Sequence, residues 1–291
     1  MTRALFTKWS LLLQKEIWEH PVLSYRLPVG FAGLLVILSL VSAVLGNEFL
    51  LSNSGEWIAD IEVNGGDVDL ANMGPPIAKM GSAVAAGFGF LGLLAGWSYL
   101  MSALYQERQD RSILFWLSLP VSDAETVLIK GVLGWLVIPA FYFGVGWAVG
   151  GVMTVIASVA ATWVMSLSGV LLAAIAAYGA NVFDLIALVV TQVLWSAPFL
   201  AWTLLASQWA NRNPLYWVLG VPFAATLIEN ALLREAVMTD WFWSRVAGNP
   251  ELGSEGAILV QASQMLLGLG VAGVLVVLTI LIRRHCYDRL P

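Results

Sequence analysis

Charge is what this sequence has least of. Fourteen lysines and arginines and 19 acids make up 11% of the 291 residues, less than half the roughly 25% of an ordinary soluble domain. So few charges could not cover a water-soluble fold of this length, and 59% of the residues are hydrophobic. That excludes a cytosolic globular enzyme, a disordered chain and a nucleic-acid binder, whose phosphate contacts need a basic face. The bilayer is the main solvent. Cysteine and histidine are scarcer still. Cys286 stands alone, so no internal disulfide can form. His20 and His285 lie at opposite ends of the chain, which leaves no cluster with metal-ligand spacing. A G-x-x-x-x-G-K-[ST] phosphate loop is missing too: Lys79 sits in Pro-Ile-Ala-Lys-Met and Lys130 precedes Gly131. No residue is nominated as catalytic, cofactor-binding or metal-binding. If ATP is used, another polypeptide must hydrolyse it.

What the chain has in abundance is long apolar runs. A spanning helix needs about 20 mostly apolar residues, and such runs fall at about 27–45, 77–101, 127–150, 153–178, 185–207 and 257–282. A shorter run, 215–230, carries Pro222 and ends in Glu229 and Asn230, which reads as a re-entrant or broken piece. The expected fold is an all-α integral membrane protein: six transmembrane helices, an amphipathic interfacial helix over 1–26 and a re-entrant segment before the last helix. Lysine and arginine are retained on the cytoplasmic side. Six crossings put ten of them inside and four (Lys79, Arg212, Arg234, Arg245) outside, whereas seven crossings give nine and five. The count favours both termini in the cytosol. Over 1–26, Leu5, Trp9, Leu12, Leu13 and Ile17 recur at helical spacing among Lys8, Lys15 and Glu19, the pattern of a helix in the inner headgroup layer. Glu16, Glu19 and Pro21 ahead of the first apolar run argue against a cleavable signal peptide. The outer loop, 46–76, is acidic and turn-rich. Its Asp67-Val68-Asp69 lacks the further oxygen ligands that a calcium loop requires.

The most structured polar stretch is 104–126. A cluster of alternating sign, Glu107, Arg108, Asp110 and Arg111, is followed by the apolar run Ile113, Leu114, Phe115, Trp116 and Leu117. Water does not favour that run, so it needs membrane interface or a partner's groove. Ser122-x-x-Glu125 then reads as a capping box that starts the next helix. The string Tyr105-Gln106-Glu107-Arg108-Gln109-Asp110-Arg111-Ser112-Ile113-Leu114-Phe115-Trp116, continuing through Ser118-Leu119-Pro120-Val121-Ser122, resembles the loop between the second and third helices of ABC-2 type transporter permeases. Leu13-Gln14-Lys15-Glu16-Ile17-Trp18 is similar to that family's N-terminal amphipathic helix, and the six-span layout extends the resemblance over nearly the whole chain. The resemblance implies a permease domain over 27–291 in a bacterial inner membrane. It implies that 104–126 is a coupling loop, with Glu107, Arg108, Asp110, Arg111, Ile113, Leu114, Phe115 and Trp116 docking a separately encoded ATPase. Two permease copies, as a homodimer, and two ATPases would make the exporter, with ATP and magnesium held by the ATPase. A polytopic scaffold that transports nothing and anchors a cytoplasmic protein is the alternative.

Other polar and aromatic groups are candidates for substrate handling. Trp195, Phe199, Trp202 and Trp209 recur at spacings that share one helical face, which suits either a substrate route or packing. Glu229 follows Pro222 and lies close enough in sequence to pair with Arg234, either as a gate or as a clasp on the hairpin. Asp184 reads as a cap for the fifth span. Gly92-x-x-x-Gly96 and Gly146-x-x-x-Gly150 allow close helix approach, within the chain or between two copies.

Overall fold

The computed structural model describes residues 2–63, 74–110, 121–165, 169–233, 237–247 and 257–286, which contain helix and no strand. In order these are α1 (Thr2–Glu19), α2 (Leu27–Val63), α3 (Gly74–Gln109), α4 (Asp123–Val132), α5 (Ile138–Met165), α6 (Val170–Ala180), α7 (Val182–Trp195), α8 (Ala197–Trp209), α9 (Leu215–Leu233), α10 (Val237–Ala247) and α11 (Ala257–Cys286). Among the described residues six stretches are long and apolar enough to cross a membrane: Val22–Leu45, Gly74–Gln109, Asp123–Trp163, Val170–Trp195, Leu215–Leu232 and Ala262–His285. The chain is thus a helical, multi-pass membrane protein.

The number six stands, but its membership differs from the sequence reading. No turn separates spans at 150–153; α5 runs straight through Gly150 and Gly151. The break falls instead before Gly169, whose φ of +93° is the left-handed region that glycine tolerates. The expected span 185–207 is interrupted at Ser196. The run read as re-entrant is one 19-residue helix, α9, continuous through Pro222.

Proline accounts for the continuity of α9 and sits close to the interruption at Ser196. An interior proline removes one backbone donor and costs about 3 kcal/mol, unless the orphaned carbonyl finds another partner. Pro222 orphans the carbonyl of Val218, and the Trp202 indole N–H donates to that oxygen at 3.1 Å. At Pro139 and Pro28 the chain instead widens into a π-helical turn just upstream, at Leu133–Val137 and Val22–Arg26. The interruption at Ser196 precedes Pro198, and the nearby carbonyl of Val193 accepts from the Trp135 indole at 2.9 Å.

Two compact units result. One comprises Met1–Ser24, Gly92–Pro139 and Val190–Pro291, the other Tyr25–Leu91 and Ala140–Val189. In the second, Ala32, Phe88 and Val149 form one core and Ile77, Val170 and Ala174 another. Its helices touch backbone to backbone: a Cβ on Gly150 would collide with the Gly81 carbonyl, and one on Gly146 with Phe88. The Gly146-x-x-x-Gly150 pair therefore serves packing inside the chain. So does Gly96 of the first unit, which abuts the Gly134 carbonyl.

Candidate functional site

The first unit gathers charge at one end, on residues that flank 111–120 in the sequence. Ser122 caps α4: its hydroxyl accepts from the Glu125 N–H at 3.2 Å, and Glu125 accepts from the Ser122 N–H at 2.8 Å. This is the capping box expected from the sequence. Once α4 starts there, Asp123 and Lys130 are seven residues apart and share a face. On α3, Tyr99, Ala103 and Glu107 are stacked at intervals of four.

Those faces meet Glu16 of α1 and Arg283 of α11. Lys130 Nζ lies 3.0 and 2.9 Å from the two Glu16 oxygens and 3.2 Å from Glu107. Arg283 donates to Glu107 at 2.9 Å and to Asp123 at 3.2 Å. The Tyr99 hydroxyl donates to Glu16 at 2.7 Å, and the His20 ring packs edge-on against Tyr99, 5.2 Å away. Relative exposures are 1% for Glu16, 3% for Lys130, 6% for Glu107 and 1% for Arg283. Burying ions costs several kcal/mol each unless partners replace the lost water. Here every carboxylate has a cation and every cation two carboxylates. Burial alone would push the Glu16 carboxyl up, but Lys130 and the Tyr99 hydroxyl outweigh it and hold the group below its ordinary value. Burial lowers the His20 imidazolium, with Glu16 opposing. At the rim Lys8 pairs with Glu125 at 2.8 Å.

A second brace ties α3 to α8. Arg108 Nη2 donates to the carbonyls of Ser207 and Ala210, each at 2.7 Å, and so covers oxygens left open at the end of α8. The Ser207 hydroxyl accepts from Leu104 N–H at 3.2 Å and Tyr105 N–H at 3.1 Å. The 210–214 turn therefore sits at the same end as Glu107 and Arg283.

Of the residues expected to dock a partner, Glu107 and Arg108 are engaged within the protein by these contacts. Asp110 is exposed. Arg111, Ile113, Leu114, Phe115 and Trp116 lie outside the described residues. Glu16, Asp123, Lys130 and Arg283 are not among the site residues that the sequence suggests. Their one sequence signal is charge placed in or beside apolar helix, as with Lys130 in Val127-Leu128-Ile129-Lys130.

Two members of the aromatic stripe, Trp195 and Phe199, pack inside the protein. Trp195 and Phe199 are buried on either side of the Ser196 break. The Trp195 indole donates to Ser244 O at 2.9 Å. Phe199 packs against Trp97 and Phe242, with ring centroids 5.7 and 5.9 Å apart. Glu229 clasps its hairpin through backbone, accepting from Met238 N–H at 2.8 Å and Thr239 N–H at 2.9 Å as well as from the Thr239 hydroxyl. It thereby caps α10, where a carboxylate also complements the helix dipole. Asp184 is exposed in the first turn of α7. Arg245 is fully buried against the Trp195 ring, 3.6 Å from its centroid, and donates to Gln264 O at 2.9 Å.

No family model, no curated protein and no solved structure matches the chain.

Proposed function

We propose that the chain is the membrane subunit of an ATP-driven exporter, working with a separate ATPase that docks at 104–126 and with a second copy of itself. The observation that carries this reading is the bracing around 111–120. Glu107 on one flank and Asp123 and Lys130 on the other are locked through buried ions to α1 and to the end of α11. An anchoring loop that only tethered a protein would need no such connection. A loop that must pass a push into the membrane helices does, because force travels through packed, rigid contacts. The membrane sidedness follows from charge. With the 210–214 turn at the network's end, 11 of the 14 lysines and arginines fall on one side and three (Lys79, Arg234, Arg245) on the other. That is a sharper asymmetry than ten to four, and it supports an arrangement with both termini in the cytosol and α9 as a full crossing.

The test is co-purification with a candidate ABC ATPase expressed alongside it, followed by reconstitution. Trp116→Ala should cut ATPase retention at least tenfold, since truncating an aromatic anchor commonly costs about 2 kcal/mol, while the permease still inserts. Unchanged retention and unchanged ATPase turnover would sink the coupling assignment. An ATPase that binds but never drives transport across a compound panel would favour the scaffold.

A further inference from the structure

The end of the first unit that holds the ion network also carries exposed aromatic rings. Trp209 is 53% exposed, Tyr216 72% and Trp217 36%, and the Trp209 and Trp217 rings lie 4.9 Å apart. Amphipathic aromatics outside the core collect at headgroup depth, where the ring faces hydrocarbon and the polar edge faces water. Between them runs the 210–214 turn, with Asn211 and Arg212 both exposed. Among the described residues no carboxylate pairs with Arg212. Two residues of the same turn, Ala210 and Asn211, join Tyr105, Arg108 and Gln109 in walling a cavity of about 220 Å³, and Arg212 follows Asn211 in the chain. Its walls are mostly hydrogen-bonding groups, and Arg108, clamped to the Ser207 and Ala210 carbonyls, fixes its shape.

We propose that this cavity receives the phosphate of an anionic phospholipid, with Arg212 as its cation and the Trp209–Trp217 pair setting its depth. The Gln109 and Asn211 amides of the wall, with the exposed Arg212 guanidinium one residue further along the turn, supply the charge and the hydrogen-bond donors that a phosphodiester takes. The aromatic belt holds the site where lipid phosphates are most concentrated, which favours a lipid over a free anion. The site would tie the α8–α9 turn, and through Arg108 the end of α3, to the headgroup layer. The inference rests on the membrane reading alone and does not depend on ATP-driven export.

The experiment uses the full chain in nanodiscs of phosphatidylcholine into which spin-labelled phosphatidylglycerol is titrated. The readout is fluorescence quenching assigned to Trp217, taken as the difference between the wild type and Trp217→Phe. Phosphatidylglycerol labelled near the headgroup should quench at least twice as strongly as the labelled choline lipid. Arg212→Gln should weaken the apparent lipid affinity about fivefold, the worth of one cation near an anionic surface, while Arg212→Lys keeps most of it. Equal quenching by the two lipids in the wild type overturns the proposal whether or not the variants fold. So does an unchanged affinity in a folded Arg212→Gln. Millimolar inorganic phosphate that abolishes the quenching difference would mark a free-anion site and overturn the lipid assignment.

Discussion

Lys130 is the position where a single change should do most damage. Its ammonium sits about 3 Å from Glu16 and 3.2 Å from Glu107. At an effective dielectric of 20, one such contact is worth about 5 kcal/mol of attraction, which the desolvation of three buried ions offsets in large part. Lys130→Met keeps the apolar stem and removes only the charge. It leaves Glu16 buried with the Tyr99 hydroxyl but without its cation, and breaking a buried pair from one side costs about 3–5 kcal/mol. If that cost is the stranded carboxylate, Glu16→Gln on top of Lys130→Met should recover part of it, giving a coupling of about 2 kcal/mol. Equilibrium unfolding in mixed micelles, followed by tryptophan fluorescence, measures all four corners of the cycle. Additivity within about 0.5 kcal/mol, or a cost below about 1 kcal/mol for Lys130→Met alone, would refute the claim that this network holds α1 to α3 and α4.

Three further outcomes are expected. Acid should lower the unfolding midpoint in two steps. The folded His20 titrates below its ordinary 6.5, so the stability tied to its neutral ring is complete above that pH and shrinks below it. The folded Glu16 titrates below 4.5, so its contribution is lost as pH falls past that value. His20→Gln should erase the first step and spare the second. In a second cycle, Trp202→Phe should cost about 1–3 kcal/mol by stranding the Val218 carbonyl. That cost should fall below about 0.5 kcal/mol in a Pro222→Ala background, where the backbone N–H restored by the substitution can serve the same oxygen; equal costs in both backgrounds would mean that Trp202 acts by packing alone. For topology, a single cysteine at Asn213 in a Cys286→Ser chain should react with an impermeant thiol reagent only after lysis, and one at Lys79 should react in intact cells. Labelling of Asn213 from outside would return α9 to the re-entrant arrangement.

The class of this protein was legible from composition. So few charges and runs of about 20 apolar residues leave only helices in a bilayer, because no other open element satisfies its own backbone there. Local chemistry was legible too: Ser122 and Glu125 are three residues apart, and a capping box needs nothing beyond them. Helix boundaries were not, because they turned on partners far along the chain. Pro222 looks like a breaker until Trp202 reaches the freed carbonyl, and Gly150-Gly151 looks like a turn until Gly81 packs against it. Nor was the ion network legible. Glu16 and Lys130 are 114 residues apart, and Glu107 and Arg283 are 176 apart. Hydrophobic periodicity says which face of a helix is apolar. It does not say which other helix brings the opposite charge, and that pairing decides whether a charged residue meets solvent or is buried in an ion pair.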